Sequence, residues 1–307
     1  MAQIFFLGPA GTFTHDAARR YFNDRADAEF QPCATPQEVI RKLDKHQSDY
    51  GVVPIENSVH GEVIPTLDAL LFEFSNVFVV GELSLPITFA FFSVSSSENP
   101  RIVISHPHAL AQCKAFIERN ALTEQSANST ADACRIVAES GDPAYGAIAS
   151  ISAGNQFGLK LLDKDIEDFK GAYTRFLVLS RQFHAPRGAS KCMLAILPPS
   201  ETAGVLSELT SVFSNNNINI FSIHSRPTRS AVGQYVFIIT ADGTPAEGPT
   251  RKAIDALYDR GYRLKILGAY LFPGHERPAA PYPNLPGLLS KQEFEKLVSH
   301  KIGKSDE

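Results

Sequence analysis

The side chains best suited to chemistry lie where predicted strands end or begin. Pro54-Ile55-Glu56-Asn57-Ser58 closes one buried strand, and Thr174-Arg175-Phe176 opens another. Ligands of open α/β sheets bind beyond the carboxyl ends of strands, so the first segment would bring a carboxylate, an amide and a hydroxyl to the mouth of a cleft. The alternative is an N-cap for a helix near Pro65 within a surface loop. The planar guanidinium of Arg175 suits a structural ion pair as well as a bound carboxylate, and both interpretations stay open.

A glycine-rich turn near the N-terminus is a further candidate. Residues 8–14, GPAGTFT, follow a strand pattern and open a helix pattern. Backbone N–H groups and the hydroxyls of Thr12 and Thr14 would therefore be available to an anion. A plain strand-to-helix turn is the competing interpretation.

The segment His106-Pro107-His108 contains two imidazoles without a third ligand or a carboxylate at useful spacing. We therefore predict no metal site there, and favour a helix-entry loop with His108 or Gln112 facing a cleft. The motifs GxGxxG, HExxH and GxSxG and the Walker loop are also missing from the sequence. Nucleotide-driven, zinc-hydrolase and serine-esterase chemistry thus lack their usual signals.

These segments must be positioned by the alternating strand and helix patterns of the first 180 residues, which predict an α/β structure with largely parallel strands. Strands are predicted at 4–7, 50–54, 78–80, 87–94, 102–105, 145–149 and 175–180. Helices are predicted to begin near Thr12 or Thr14, at Thr35, at Ile64-Pro65 and at Ser129 or Thr130, with stops at Gly141 and Gly158.

The domain organisation follows from the same patterns. The chain leaves one α/β unit near Pro86 and passes through a second before residue 181, which indicates two lobes with a ligand cleft between them. A linker without periodicity precedes a βαββαβ pattern, which is typical of a ferredoxin-like unit, and its second helix is expected to bury Ile254, Leu257 and Tyr258. We expect domains at 1–181, with a lobe crossing near 80–90, and at 191–274, separated by a linker at 182–190 and followed by a Pro-rich tail at 275–307 with a short helix at 291–298.

Composition limits the class of function. The 307 residues carry 29 Lys and Arg against 33 Asp and Glu, a net charge of −4, so we expect neither nucleic acid nor a membrane surface as a partner. Cys33, Cys113, Cys134 and Cys192 are widely spaced, which predicts reduced, buried thiols. The apolar stretches near the N-terminus and at 77–94 are too short or interrupted for a signal peptide or a membrane span, so a cytoplasmic protein is expected.

In chain order, these segments resemble the blocks of the prephenate dehydratase family with a C-terminal ACT regulatory domain. The matching blocks are GPAGTFTHDAA at 8–18, VVPIENSVHGEVIPTLDAL at 52–70, SHPHALAQC at 105–113, NSTADA at 128–133, AIAS at 147–150 and TRFLVL at 174–179, with GVLSEL at 204–209 and HSRP at 224–227 in the ACT part. The resemblance covers about residues 3–272. It implies a two-lobed, periplasmic-binding-protein-like catalytic domain followed by a ferredoxin-like ACT domain. No helical chorismate mutase pattern precedes the blocks, so a monofunctional enzyme is expected.

The family reaction converts prephenate to phenylpyruvate, with loss of carbon dioxide and water, in phenylalanine biosynthesis. Aromatisation drives it, so the protein orients a dianionic substrate and assists the leaving hydroxide, and no metal or redox cofactor is needed. The resemblance assigns proton donation to Thr174, a substrate carboxylate to Arg175 and a wall of the ring pocket to Phe176. It implies further polar contacts from Asn57, Ser58, Thr12, Thr14, Ser129 and Thr130, while Glu56 is expected to orient Arg175 or a backbone amide. Closure of the lobes is expected to exclude water.

The ACT resemblance implies feedback control. The effector-binding segments of the family correspond here to Gly204, Val205 and Leu206 and to His224, Ser225, Arg226 and Pro227. Pairing of ACT domains around phenylalanine implies a homodimer or a homotetramer. His224 replaces the usual glutamate, and His108 replaces a usual glutamine in the catalytic part. Phenylalanine is therefore the expected effector, with altered affinity, another aromatic amino acid or no response as alternatives, and a merely structural role of both segments also stays open.

Two other functions remain open. One is an arogenate or broad cyclohexadienyl dehydratase, whose substrate differs only in an amino instead of a keto group. The other is a non-catalytic binding module, because two-lobed clefts and ACT domains both bind small acids without chemistry. Thr174 separates the classes, since a binding module has no use for a positioned proton donor.

Overall fold

A computed structural model describes residues 2–23, 25, 27–43, 49–183, 186, 188, 190–230, 233–272 and 291–293. Residues up to 272 form one compact unit, and those from 273 onward form another. Of the second unit only 291–293 are described, and they are helical. The remainder of the helix predicted at 291–298 and parts of the linker at 182–190 lie outside the described residues. No helix within the described ranges is long and apolar enough to span a membrane.

In its described residues, the first lobe combines a mixed sheet with three helices. Its strands are β1 (Ala2–Leu7), β2 (Ala28–Cys33), β3 (Tyr50–Asn57), β4 (Gly61–Glu62), β5 (Phe78–Pro86) and β11 (Tyr173–Ser180), in the order β5-β11-β3-β1-β2 with β4 on β3. Its helices are α1 (Phe13–Tyr21), α2 (Pro36–Leu43) and α3 (Ile64–Asp68), and α3 continues as a π-helical segment, Ala69–Glu73. The predicted helix start at Thr12 is confirmed, because the Thr12 hydroxyl caps α1.

The second lobe has its own sheet. Its strands are β6 (Ala90–Ser93), β7 (Ile102–Ser105), β8 (Thr123–Ser126), β9 (Tyr145–Ala149) and β10 (Lys160–Lys164), in the order β10-β6-β9-β7-β8. Its helices are α4 (Pro107–Gln112), α5 (Lys114–Arg119), α6 (Thr130–Ser140) and α7 (Ile151–Gln156). Gly141 ends α6 in a left-handed conformation, with φ of 62°, as predicted.

The prediction of largely parallel strands is wrong. In each lobe three strands are parallel, namely β2-β1-β3 and β8-β7-β9, but β5, β11, β6 and β10 pair antiparallel. The reason is that the chain returns from the second lobe and inserts β11 between β3 and β5. The strand that carries Thr174 therefore belongs to the first lobe.

Two chain segments connect the lobes and are hydrogen-bonded to each other. The Ile87 N–H donates to Ala172 O at 2.8 Å, and the Ile166 N–H donates to Phe89 O at 3.1 Å. The buried carboxylate of Glu167 accepts the Phe89 N–H at 2.9 Å and pairs with Lys170 at 3.0 Å. Burial alone would raise the pKa of Glu167, but these hydrogen bonds hold it below the ordinary 4.5.

The βαββαβ order of the C-terminal part is confirmed. Its elements are β12 (Lys191–Leu197), α8 (Val205–Asn215), β13 (Ile220–Pro227), β14 (Tyr235–Asp242), α9 (Gly248–Asp259) and β15 (Arg263–Tyr270), with strand order β13-β14-β12-β15. Ile254 and Leu257 are buried as expected, but Tyr258 is 51% exposed because it lies on the outer face of α9.

The sheet of this C-terminal unit continues into the sheet of the first lobe. Gly268 of β15 forms a parallel bridge with Val79 of β5. A Cβ on Gly268 would lie 2.1 Å from the Val79 carbonyl oxygen, so the close approach requires glycine. One apolar cluster is shared across the join and includes Val39, Leu43, Leu67 and Leu70 from the lobe and Met193, Ala195, Ile238 and Leu267 from the C-terminal unit.

Candidate active site

A cleft of about 540 Å³ lies between the two lobes. The first lobe contributes Phe13, Pro54, Asn57, residues 60–65 and Thr174, and the remainder of the lining is Ile87, Phe89, His106, His108, Ala109, Gln112 and residues 128–130. Among the described residues, Glu62 is the one carboxylate in this lining, and no Lys or Arg contributes to it. The cleft has the size of a small-molecule site.

Thr174 and Asn57 are brought together by strand pairing. They are register partners across the antiparallel β11–β3 pair, and the Asn57 Nδ2 donates to Thr174 Oγ1 at 2.9 Å. The Asn57 Oδ1 accepts the N–H groups of Val59 and His60 at 2.9 and 3.0 Å, which fixes the orientation of the amide. Because the amide nitrogen can only donate, Thr174 accepts in this bond and its own proton stays available for another partner.

Arg175 faces the other side of the sheet, as expected for consecutive strand residues. Its Nη2 lies 2.7 Å from Glu56 Oε2 and its Nη1 lies 3.5 Å from Glu82 Oε2. Of the two interpretations that the sequence leaves open, this geometry is that of an ion pair, and the guanidinium does not contribute to the cleft lining. Phe176 is 1% exposed in the core of the first lobe, and it too lies away from the cleft.

Three other candidates, Thr12, Thr14 and Ser58, are buried or take part in hydrogen bonds within the first lobe. The Thr12 hydroxyl accepts the His15 N–H and donates to Pro9 O at 3.0 Å, while Thr14 is buried. The Ser58 hydroxyl accepts the Tyr173 N–H at 2.9 Å and so ties β3 to β11. None of the three appears in the cleft lining.

The N-cap alternative for the segment ending at Ser58 is wrong. The N-cap of α3 is Val63, and no side chain caps that helix. The Asn57 carbonyl oxygen instead accepts the N–H groups of Val59 and His60 in the turn after β3.

Ser129 and Thr130 lie in the cleft lining at the start of α6. The Ser129 hydroxyl is the N-cap and accepts the Asp132 N–H at 3.0 Å. The first amide N–H groups of an α-helix have no intrahelical partners, and they favour a negative charge. This end of the cleft is therefore suited to a carboxylate.

A group of three imidazoles also lines the cleft. The rings of His60 and His108 stack at 4.4 Å, and His106 meets His108 edge-on at 4.9 Å. Partial burial, followed by the neighbouring imidazoles, lowers the pKa of His60 and of His106. In the part of the chain that the structure describes, no three His, Cys, Asp or Glu side chains are arranged to hold a metal ion. His60 was not among the residues predicted from the sequence, because its role depends on its contact with the distant His108.

Some residues of the two ACT segments contact the first lobe, and others are exposed to solvent. Gly204 has a φ of 94° at the N-cap of α8, Val205 is buried and Leu206 is 47% exposed. On β13, alternate residues face opposite sides. His224 contacts Glu62, and Arg226 Nη2 lies 2.8 Å from Asp68 Oδ1, whereas Ser225 and Pro227 are exposed. Residues 60–65 line the cleft, so the segment HSRP touches part of the cleft wall.

A buried polar cluster links Arg175 to the C-terminal unit. Besides Arg175, the carboxylate of Glu82 accepts Lys191 Nζ and Tyr270 Oη, each at 2.7 Å. Burial lowers the pKa of Lys191 even though Glu82 opposes this effect. Burial, reinforced by Glu82, raises the pKa of Tyr270. The four side chains form a continuous polar connection between β11 and β12.

Two α/β lobes joined by two crossings, with a cleft between them and a βαββαβ unit behind, define the class of two-lobed small-molecule enzymes with an attached ACT-type unit. The family model for prephenate dehydratase matches residues 4–184, and that for the ACT domain matches residues 200–257. The chain belongs to the prephenate dehydratase family, has that enzyme class's catalytic domain and carries an ACT regulatory domain.

Individual relatives agree with this assignment. The chain is 37% identical over 271 residues to a bifunctional chorismate mutase/prephenate dehydratase of Aquifex aeolicus, covering 87% of this chain and 73% of that protein. It is 33% identical over 282 residues to the prephenate dehydratase of Bacillus subtilis, covering 87% and 98%. The solved structure of prephenate dehydratase from Arthrobacter aurescens in complex with L-Phe has a TM-score of 0.78 at 30% identity and covers 98% of both chains.

Proposed function

We propose that the cleft converts prephenate to phenylpyruvate, with Thr174 as the proton donor to the departing hydroxide. The ring carboxylate leaves as carbon dioxide, its electron pair makes the ring aromatic, and the hydroxyl leaves with the Thr174 proton as water. Solvent then returns a proton to Thr174. The observation that carries this proposal is the 2.9 Å hydrogen bond from Asn57 to Thr174 Oγ1 in the cleft lining. A threonine is a weak acid, so a donor aimed at the oxygen that loses its proton lowers the barrier.

The other candidates divide into two groups. Asn57, Ser129 and Thr130 contact the substrate, the last two together with the amide groups at the start of α6. Thr12, Thr14, Ser58, Arg175 and Phe176 are positioning residues that hold α1, β3 and β11 in place. This division is supported by the hydrogen bonds, ion pairs and burial described above.

The test is an ultraviolet assay for phenylpyruvate with wild type, Thr174→Ala and Thr174→Ser. General acid catalysis contributes roughly 10²- to 10⁴-fold, so Thr174→Ala is expected to lose at least about 100-fold in kcat while binding prephenate. Thr174→Ser keeps a hydroxyl and is expected to keep measurable turnover. Near-wild-type turnover in Thr174→Ala contradicts the proton-donor role. Turnover of arogenate alone supports the arogenate dehydratase, and binding without turnover of either substrate supports the binding module.

Phenylalanine is the proposed effector, bound at 204–206 and 224–227. The L-Phe in the Arthrobacter aurescens structure supports its identity. The contacts of His224 with Glu62 and of Arg226 with Asp68 supply a direct route from the ACT domain to the cleft wall. The same assay with added phenylalanine tests this proposal. Inhibition supports it, and rates that do not depend on phenylalanine contradict it.

A homodimer through the ACT domains is also proposed, with the homotetramer as the alternative. Within the described strands β13 pairs with β14 alone, and Phe221 and Ile223 on this edge are 42% and 38% exposed. An exposed edge strand with apolar side chains favours pairing with a second copy. Light scattering measures the mass, and a monomer contradicts the proposal.

The domain boundaries at 181, 190 and 274 remain proposals, as does the cytoplasmic location. Four buried, free cysteines support a reducing compartment.

A further inference from the structure

The cleft must hold the negative charge of its substrate without a permanent cation. This inference rests on the proposed function, in which the substrate is a dianion. In the described lining there is no Lys or Arg, and Arg175 is engaged by Glu56 and Glu82. The lining groups able to become cationic are the three imidazoles of His60, His106 and His108.

Two of these imidazoles are held neutral by their hydrogen bonds. The His106 Nδ1 accepts the His108 N–H at 3.2 Å as the N-cap of α4, and protonation of that nitrogen would break the cap. The His60 Nε2 lies 3.0 Å from Gln112 Nε2, and with the amide in this orientation the amide N–H donates and the ring nitrogen accepts. A second bond from Gln112 Nε2 to His108 O, at 3.3 Å, fixes the direction of the amide.

The third imidazole, that of His108, is not held neutral by a hydrogen bond. His108 is exposed in the cleft, and its ring nitrogens have no hydrogen-bond partner among the described residues. Its ring stacks on that of His60 at 4.4 Å and lies nearly perpendicular to that of His106 at 4.9 Å. A cation over the face of a neutral aromatic ring is stabilised by the ring's electron density. The pair is therefore arranged to orient a protonated His108.

We propose that His108 binds a carboxylate of the substrate and takes up one proton from solvent as it does so, while neutral His60 and His106 fix its ring. The titratable groups facing it are His60 and Glu62 from the turn after β3 and His106 from its own helix start. The Glu62 carboxylate is engaged by His224. The start of α6 adds hydroxyl and amide groups but no charged side chain to the lining.

This role of His108 predicts how the affinity for the substrate changes with pH. Substrate bound as an anion favours the protonated ring, so binding is tightest at low pH and weakens as the pH rises and the ring loses its proton. Substrate KM therefore rises with pH, while kcat, which depends on Thr174, changes little.

Two substitutions at one position test the role of charge. His108→Gln never carries a charge, and His108→Lys always does in this range. Initial rates with prephenate between pH 6 and 8.5, each with an enzyme-free blank, give KM and kcat separately. A hydrogen bond to a charged group corresponds to about ten- to hundredfold in affinity. We expect wild-type KM to rise by about tenfold or more with pH, His108→Gln to have a high and flat KM, and His108→Lys to have a low and flat one.

Direct binding separates this inference from the proposed function. Calorimetry of prephenate with Thr174→Ala, in two buffers of different ionisation enthalpy, counts the protons taken up, and the same measurement with Thr174→Ala/His108→Gln is the control. Proton uptake that disappears in the double variant supports the proposal. A wild-type KM that is flat with pH, an unchanged KM in His108→Gln, or a binding enthalpy independent of the buffer overturns it. Failure of the wild type to turn prephenate over, with proton-linked binding intact, refutes the dehydratase function and leaves the carboxylate site standing.

Discussion

Replacing Asn57 by Asp separates the two tasks of this side chain. An aspartate Oδ1 still accepts the N–H groups of Val59 and His60, so the turn after β3 is retained. The second oxygen replaces the amide nitrogen 2.9 Å from Thr174 Oγ1. The Thr174 hydroxyl then donates to this carboxylate, and its proton is no longer directed at the substrate. An anion now faces the oxygen that must become negative.

The expected decrease in kcat can be estimated from the hydrogen bond between Asn57 and Thr174. A neutral hydrogen bond contributes about 1 kcal/mol, and one to a charged group about 1.5–3 kcal/mol. Removal of a donor aimed at a developing anion typically lowers kcat by about 10²- to 10³-fold. We expect Asn57→Asp to lower kcat within that range in the phenylpyruvate assay at saturating prephenate. The midpoint of thermal unfolding should stay near that of the wild type, because the turn is intact.

Asn57→Ala is the matched control, since it removes the donor and the turn acceptor together. It should lower both kcat and the unfolding midpoint. At saturating prephenate the contact of Asn57 with the substrate no longer limits the rate, and Asn57 affects kcat through its bond to Thr174. The double variant Asn57→Asp/Thr174→Ala should therefore have a kcat no lower than that of Thr174→Ala alone. Wild-type kcat in Asn57→Asp, or losses that multiply in the double variant, would refute the proposed polarisation of Thr174.

Two further predictions concern stability. Lys191→Met leaves the buried Glu82 carboxylate without its closest cation and should lower the free energy of unfolding by about 3 kcal/mol. Urea denaturation measures this change, the double variant with Glu82→Gln should recover part of it, and an unchanged midpoint in the single variant would contradict the reasoning. Glu167→Gln weakens the hydrogen bond to the Phe89 N–H and removes the ion pair with Lys170, which should lower the free energy of unfolding by about 1–2 kcal/mol near pH 6. Because the folded pKa of Glu167 lies below 4.5, this difference from wild type should persist above about pH 4.5 and shrink as the pH falls through the folded pKa, and a difference independent of pH would exclude the linkage.

Buried strands were predictable from the sequence, as was the apolar edge strand β13, whereas edge strands without an apolar pattern were not. The strands at 102–105 and 145–149 have the predicted bounds, because continuous apolar runs mark strands covered on both faces. Besides the two-residue β4, the missed strands are β2, β8 and β10, which lie at sheet edges, and all four residues of β8 are exposed. An edge strand with solvent on its face needs no apolar pattern, so its sequence carries no periodic signal.

The sequence identified the segments that form the site, but not the face of the sheet on which each side chain lies. Thr174 and Asn57 were both candidates, yet their contact depends on the register between β11 and β3, which no local pattern contains. The opposite orientations of Thr174 and Arg175 follow from strand alternation and could have been predicted. The role of His60 could not be predicted, because it depends on the ring of His108, 48 positions further along the chain.

The continuous sheet through Gly268 and Val79 has a consequence for engineering a deregulated enzyme. A chain cut after residue 181 would expose the apolar face formed by Val39, Leu67 and their neighbours, and it would leave Glu82 buried without Lys191. We expect such a fragment to aggregate. The ACT domain therefore also supports the catalytic lobe, and release from the proposed feedback control is expected from single substitutions at exposed positions such as Leu206 or Ser225 rather than from removal of the domain.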